Sequence, residues 1–305
     1  MPNRRMDIWN LINRIIFLLQ TTIGILGNFS LIFYYLILYY RQCTLKPTDL
    51  ILMHIMTANA LIILSSGVPH TMAAFGLKPF LNNLACRLLV YTQVLGRSVS
   101  ISTTCLLSVF QAMTISPRES CWKDHKARSA RYIGCSISIL WVISILTTFL
   151  SCVHTFITMN NKNITRKRDL GYCSSVEHNE VSDPLYTALI VCPEIFLSVL
   201  IVWCSMSMVL FLYRHKQRVQ HIRSTRGSSR TSPDARATQN ILGLVSTFMV
   251  FYTLSSILHG CISLLYNHNW WLPTINRVIY LCFPSFAPFV LMNPSSILSR
   301  FIKSG

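Results

Sequence analysis

Long intervals without a charged residue restrict what this chain can fold into. The interval 15–40 contains no Asp, Glu, Lys or Arg, and residues 50–77 form a second such interval. About 20 apolar residues of α-helix, which rise about 1.5 Å each, cross the hydrocarbon core of a bilayer. Both intervals are too long for the core helices of a soluble domain, so the sequence predicts membrane-spanning helices.

The composition agrees with a surface that faces lipid. Only 12% of the 305 residues are charged, whereas about 25% is typical of a soluble domain. The net charge of +17 does not require a nucleic-acid partner, because membrane proteins collect Lys and Arg in their cytoplasmic loops. The sequence also has no zinc-finger or RNA-binding signature. No nucleic-acid partner is therefore expected.

The charge-poor intervals predict an all-α membrane protein, a bundle of seven transmembrane helices. The last interval, residues 237–276, is too long for one helix, and NHNWWLP at residues 267–273 divides it. Two spans contain a charged residue far from their ends, Arg97 in the third and Glu194 in the fifth. The transmembrane domain, residues 15–299, lies between tails at residues 1–14 and 300–305. The predicted spans cover residues 15–40, 50–77, 88–115, 132–158, 185–213, 237–265 and 274–298.

The basic residues predict the orientation of the bundle. With the N-terminus outside, 16 of the 27 Lys and Arg residues lie on the cytoplasmic side, ten lie outside and one, Arg97, lies in the membrane. This bias favours an extracellular N-terminus and a cytoplasmic C-terminus, although three arginines in the N-terminal tail oppose it. Asn163-Ile164-Thr165 then lies in the second outer loop, where Asn163 is the predicted glycosylation site.

Two of the eleven cysteines stand apart from the rest. Cys86 falls at the outer end of the third span, and Cys173 lies in the middle of the second outer loop. Disulfides form in oxidising extracellular surroundings, so we expect a bridge between them that holds the loop across the mouth of the bundle. Cys152 and Cys192, near the outer ends of spans, are the alternative partners.

Arg97 needs a partner in the membrane. It lies 11 residues beyond Cys86, roughly 16 Å along a helix, and Glu194 is expected at a similar depth. An unpaired charge there costs about 2.5–3.5 kcal/mol or more. We therefore expect Arg97 to pair with Glu194 in an interior polar cluster with Gln93 and Ser100. The cluster is either a structural clasp or the side of a ligand pocket, since pockets between helices bind small molecules.

The ionisable residues in the predicted spans favour a receptor over an enzyme. A membrane hydrolase or metalloenzyme needs clustered carboxylates or histidines, and Glu194 is the only acidic residue in the predicted spans. No catalytic residue, metal or cofactor is expected, and retinal is excluded because the seventh span has no lysine before Lys303. A secondary transporter usually shows repeated halves and several midplane ionisable groups. A transporter or channel remains the alternative.

Four strings resemble the type-1 vomeronasal receptors, a pheromone-receptor family of G-protein-coupled receptors. They are GRSVSISTTCLLSVFQAMTISPRES around Arg97, YRHKQRVQHIR at 213–223, SSRTSPDARATQNILGLVSTFMVFY at 228–252 and LMNPSSIL at 291–298. The similarity extends over essentially the whole chain. It implies a multi-pass chemosensory receptor of the plasma membrane, which binds a small pheromone-like molecule in the helix bundle and activates a heterotrimeric G protein of the inhibitory class.

The same family is only distantly similar to the rhodopsin-like receptors. Asn293-Pro294 fits the rhodopsin-like pattern, but Phe110-Gln111-Ala112 replaces the usual acidic-Arg-aromatic triplet. The resemblance implies roles for Asn293, Pro294 and Gln111 in conformational change. The basic residues after the fifth span suit an acidic protein surface or anionic lipid. Those assigned to G-protein coupling are Arg214, Lys216 and Arg218.

Overall fold

A computed structural model describes most of the chain. The described residues are 2–42, 45–77, 83–115, 126–162, 167–169, 174–176, 187–223 and 272–291, together with 243, 245–247, 250–252 and 254–255. Nearly all of them are helical. Within these ranges the only strands are β1 (Lys167–Asp169) and β2 (Ser174–Val176), which pair antiparallel.

The described helices overlap the predicted spans but have different bounds. They are α1 (Pro2–Gln42), α2 (Pro47–Ile62), α3 (Val68–Ala74), α4 (Asn83–Ile115), α5 (Lys126–Lys162), α6 (Cys192–Arg223) and α7 (Leu272–Leu291). The described residues between 243 and 255 are also helical, and we call them the sixth-span residues. Helix α1 begins at Pro2, so residues 2–14, expected as a tail, continue the first helix. Proline suits a first helical position because no intrahelical partner is needed there.

Within the described part of the chain, five helical segments are long and apolar enough to cross a membrane. They are Ile8–Arg41, Pro47–Ala74, Arg131–His154, Ala188–Leu210 and Thr274–Leu291. Large apolar side chains on their outward faces are exposed, including Phe33, Ile143, Phe196 and Trp203. Such a surface is stable in lipid, whose tails are as apolar as these side chains.

Helix α4 is more polar, yet its 33 residues span about 50 Å, enough to cross the bilayer. Several of its hydroxyl side chains bond the backbone of their own helix. Thr103 donates to the carbonyl of Val99 at 2.6 Å, and Thr104 donates to the carbonyl of Ser100 at 2.7 Å. This pattern satisfies a hydroxyl inside a helix. A run of Ser and Thr is therefore compatible with a buried transmembrane helix.

Among the described residues, two wider helical turns occur just before prolines. Residues Ile63–Gly67 form a π-helical turn between α2 and α3, two residues before Pro69. Residues Thr187–Val191 form another at the start of α6, two residues before Pro193. Proline lacks an N–H and its ring clashes with the carbonyl four residues earlier, so a widened turn accommodates it. The second of these turns lies just before Glu194.

Helix α4 lies at the centre of the bundle. It contacts α2, α5 and α6, while α1 packs between α2 and α7. Fully buried apolar side chains fill the space between these helices: Ile51, Ile55, Met56, Ile101, Leu107, Ile137 and Ile201. The charged residues Arg97 and Glu194 therefore approach each other where α4 meets α6.

The contact between α1 and α7 is built from small and amide side chains. A Cβ on Gly27 would come within 2.9 Å of Pro288 Cβ, so the two backbones approach closely. Asn28 Nδ2 donates to the carbonyl oxygen of Pro284 at 2.8 Å. That carbonyl lacks its partner within the helix because Pro288, four residues later, has no N–H. Asn28 thus replaces the hydrogen bond that Pro288 removes.

Candidate functional site

An ion pair joins α4 to α6 inside the bundle. Arg97 Nη2 lies 3.2 Å from Glu194 Oε2, and the Glu194 residue is buried. A widened turn at Thr187–Val191, followed by Pro193, precedes Glu194. This turn sets the rotation of α6 about its own axis where the helix begins. Each charge supplies the compensation that the other needs in a medium of low dielectric constant.

Two tyrosines complete this cluster. The Tyr252 hydroxyl donates to Glu194 Oε2 at 2.8 Å, and the Arg97 Cζ atom lies 4.8 Å from the centre of the Tyr252 ring. The same Cζ atom lies 5.8 Å from the centre of the Tyr280 ring. A guanidinium this close to an aromatic ring is attracted by the ring quadrupole. We call Arg97, Glu194, Tyr252 and Tyr280 the Arg97 cluster; it connects α4, α6, the sixth-span residues and α7.

A small cavity lies beside the Arg97 cluster. Its volume is about 30 Å³, room for about one or two water molecules. Three members of the cluster contribute to its wall, and the remaining lining is mostly apolar. The lining residues are Ile62, Arg97, Ser100, Ile101, Phe251, Tyr252, Ser255, Tyr280, Phe283 and Pro284. Typical small-molecule sites measure about 300–1,000 Å³, so this cavity is about a tenth of the smallest such site or less.

The other two members of the predicted polar cluster lie in different surroundings. Ser100 lines the cavity, but its hydroxyl donates to Asn59 Oδ1 on α2 at 3.2 Å. Gln93 is partly buried on α4, and within the described chain it makes no hydrogen bond to Arg97 or Glu194. The structure therefore brings together Arg97 and Glu194, keeps Ser100 nearby, and leaves Gln93 one helical turn away.

The cysteines are described only in part. Cys86 is buried and disulfide-bonded, whereas Cys152 and Cys192 are free. The partner of Cys86 therefore lies outside the described residues, as does Cys173. Pairing of Cys86 with Cys173 stays a prediction.

The remaining predicted residues carry less structural information. Asn163, Asn293 and Pro294 lie outside the described residues. Gln111 is buried near the C-terminal end of α4. Arg214, Lys216 and Arg218 belong to α6, beyond the apolar segment that ends at Leu210; the structure describes their backbone alone.

Two residues of the Arg97 cluster were not foreseen from the sequence, Tyr252 and Tyr280. A signal was available, because a tyrosine inside a transmembrane span must find a partner for its hydroxyl group. Asn59 was missed in the same way, although an amide in an apolar span also requires a hydrogen bond. Which of these polar groups meet could not be read from their spacing along separate helices.

The fold is that of a known class of membrane protein. The crystal structure of squid rhodopsin is similar to this chain with a TM-score of 0.64 and 14% identity, and the match covers 93% of this chain and 81% of the rhodopsin chain. At that identity the likeness shows the fold alone. Together with the apolar helices, it makes this protein a seven-helix membrane protein with the fold of G-protein-coupled receptors and confirms the predicted fold class.

The relatives identify the family. The model of the vomeronasal organ pheromone receptor family matches residues 11–304. Vomeronasal type-1 receptor 2 of Homo sapiens is 46% identical over 275 residues, which cover 90% of this chain and 70% of the relative. Vomeronasal type-1 receptor 4 of Homo sapiens is 44% identical over 282 residues, which cover 92% of this chain and 94% of the relative.

A more distant relative extends the comparison to fish. Olfactory receptor class A-like protein 1 of Danio rerio is 28% identical over 254 residues, which cover 83% of this chain and 79% of the relative. The chain belongs to the vomeronasal organ pheromone receptor family, as its resemblance to the type-1 vomeronasal receptors predicted. It is a multi-pass receptor of the plasma membrane.

Proposed function

We propose that this protein is a chemosensory receptor that binds a small pheromone-like molecule beside Arg97 and activates a heterotrimeric G protein of the inhibitory class. The observation that carries the proposal is the ion pair between Arg97 and the buried Glu194, with Arg97 at the wall of a cavity, in a chain of the vomeronasal pheromone receptor family. The names of its relatives as vomeronasal receptors support the sensory role.

The position of the Arg97 cluster suits a receptor. It connects four helices at one point, so a ligand that alters its contacts changes how those helices pack. A ligand shifts a conformational equilibrium only by the difference between its affinities for the two states. Because the cavity of about 30 Å³ is smaller than a pheromone-sized molecule, binding requires the surrounding helices to separate. This requirement links occupancy of the site to the arrangement of the bundle.

The proposal includes an orientation in which the two ends of the receptor lie in different compartments. We assign the N-terminus to the outside, with Asn163 glycosylated and the Cys86–Cys173 bridge across the ligand entrance. The basic residues Arg214, Lys216 and Arg218 then face the cytoplasm, where they suit an acidic surface of a G protein. Gln111, Asn293 and Pro294 fall toward the same side in this orientation and belong to the part that changes conformation.

Reconstitution with a G protein tests the proposal. The receptor, tagged at both termini, is expressed with a G protein of the inhibitory class, and nucleotide exchange is measured while a panel of small molecules is applied. We expect ligand-stimulated exchange for the wild type, a strongly reduced response for Arg97→Gln, and an unchanged response for Ser138→Ala. Ser138 is a matched control because its hydroxyl bonds only the carbonyl of Gly134 on the exposed side of α5.

Two outcomes would contradict the proposal. Flux of the small molecule or of ions without nucleotide exchange would favour the transporter or channel instead. Accessibility of the C-terminal tag, but not the N-terminal tag, in unpermeabilised cells would reverse the assigned orientation.

A further inference from the structure

Two unpaired polar atoms flank the ion pair and indicate which head group the site accepts. Within the described residues, Arg97 Nε and Glu194 Oε1 are buried and have no hydrogen-bond partner. Nε carries a donor hydrogen, and a carboxylate oxygen is an acceptor. Each belongs to the same planar group as an atom of the 3.2 Å contact between Nη2 and Oε2. The ion pair thus leaves one donor and one acceptor open.

The ion pair also carries no net charge. Of the described residues that line the cavity, Arg97 is the only charged one, and Glu194 already supplies its counter-charge. A carboxylate or sulfate on the ligand would place a second negative charge beside Glu194 without a second cation. Like charges at short range in a dry site repel strongly, and a buried charge without its own partner is costly. The site therefore disfavours anions, although it contains an arginine.

We infer that the ligand is an uncharged molecule with a hydroxyl head group on an apolar body, an inference that rests on the proposed function. A hydroxyl oxygen accepts the hydrogen of Arg97 Nε while its own hydrogen is donated to Glu194 Oε1. A carbonyl or ether oxygen satisfies Nε alone and leaves Oε1 unpaired. Sites with buried polar groups reject analogues that leave those groups without a partner.

The rest of the lining matches an apolar body. Ile62, Ile101, Phe251, Phe283 and Pro284 present hydrocarbon to the cavity. The volume of about 30 Å³ admits a head group but not a carbon skeleton. Arg97 lines the existing space and Glu194 does not. The hydroxyl group therefore enters beside Arg97 and reaches Glu194 Oε1 as the body separates apolar side chains that hydrogen bonds do not hold.

Matched ligands test the inference. Purified receptor in detergent is titrated with sets of three compounds that share a hydrocarbon skeleton and differ only in bearing an alcohol, an aldehyde or a carboxylate. Linear, cyclic and bicyclic skeletons are used, and binding is measured as thermal stabilisation, which follows occupancy of the folded state. We expect each alcohol that binds to have an affinity at least about tenfold higher than its carboxylate and clearly higher than its aldehyde.

A charge variant tests the reason for the expected order of affinities. Glu194→Gln keeps the shape of the side chain but leaves Arg97 without a counter-charge. The affinity for the carboxylate ligand, relative to that for the matched alcohol, should therefore rise at least about tenfold. The double variant Arg97→Gln with Glu194→Gln restores a neutral site and should remove this gain. The wild-type titration decides the inference even where a variant does not reach the membrane.

The outcomes separate the inference from the proposed function. Carboxylates or aldehydes that bind the wild type as tightly as the matched alcohols would overturn the hydroxyl assignment. Nucleotide exchange stimulated by other compounds, with no stabilisation by any alcohol, would overturn it while the receptor function stands. Stabilisation by alcohols without nucleotide exchange would leave the site assignment intact and refute the signalling role.

Discussion

The contact between α1 and α7 and the Arg97 cluster both place polar groups inside the membrane, but they differ in charge and in space. Between α1 and α7, Asn28 donates to the backbone of Pro284, and Ser285 donates to the backbone of Gln20 at 3.0 Å. No space remains there, since a Cβ on Gly27 would overlap Pro288. The Arg97 cluster holds two full charges and borders a cavity.

The unpaired atoms of the two regions differ as well. Among the described residues, the contact between α1 and α7 leaves two amide oxygens open, Gln20 Oε1 and Asn28 Oδ1, which are both acceptors. The ion pair of the Arg97 cluster leaves a donor and an acceptor, the two roles that a hydroxyl group can fill. The comparison indicates that the first region fixes two helices to each other, whereas the second is built to exchange contacts.

Charge reversal in the Arg97 cluster has the largest expected effect. Arg97→Glu places two carboxylates side by side in the bundle, and we expect a loss of about 3–5 kcal/mol of stability and of surface expression. Glu194→Arg should behave in the same way. The double exchange of the two residues should recover surface expression, measured by flow cytometry on a tagged receptor. No recovery in the double variant would show that the pair does not hold α4 to α6.

Filling the close contact between α1 and α7 comes next. Gly27→Ala forces a methyl group against the rigid ring of Pro288, and we expect a loss of about 1–3 kcal/mol in thermal unfolding of the purified receptor. Gly134→Ala is the matched control, because its added Cβ meets nothing nearer than Leu50 Cδ2 at 4.0 Å. Equal stability of the two variants would mean that α1 and α7 are not closely packed.

Removing the amide that bridges these helices should cost somewhat less. Asn28→Ala leaves the carbonyl of Pro284 without a donor, and we expect a loss of about 1–2 kcal/mol. The control is Ser30→Ala, since the Ser30 hydroxyl bonds only the carbonyl of Gly27 in its own helix. Ligand potency should stay unchanged in Asn28→Ala. A shift in potency without a loss of stability would contradict the fixed role of this contact.

The smallest change in stability is expected for Tyr252→Phe. The variant loses the hydroxyl bond to Glu194 Oε2 but keeps the ring near Arg97, so about 1 kcal/mol should be lost. Its basal and ligand-stimulated nucleotide exchange should change, because the sixth-span residues are released from α6. Tyr252→Leu also removes the cation–π contact and should lose about 0.5–1 kcal/mol more. Unchanged exchange in both variants would place Tyr252 in the fixed part of the bundle.

The sequence predicted the membrane bundle and the partner of Arg97 for a common reason. The cost of placing charge or polar backbone in hydrocarbon depends on composition and helix length. Both quantities can be obtained from the sequence. Arg97 and Glu194 are the two charged residues well inside the predicted spans. Mutual compensation followed from their similar depth without knowledge of how the helices pack.

The contacts of Gln93 and Ser100 could not be predicted in this way. The sequence predicts both in an interior polar cluster with Arg97 and Glu194. Ser100 instead bonds Asn59 of α2, and Gln93 is absent from the cavity wall. Since packed helices cross at an angle, residues one turn apart on one face meet different neighbours. The direction in which a side chain leaves its helix follows from its position along that helix. The residue that it contacts depends on how the helices pack.

The sequence by itself determined that this chain crosses a membrane repeatedly and that its interior charges must be compensated, because solvation costs are fixed by residue type and depth. Only the tertiary structure decided that Tyr252 and Tyr280 complete the Arg97 cluster and that Asn28 replaces the hydrogen bond lost at Pro288. These contacts join residues distant in the chain, and the rotation and crossing of whole helices bring them together.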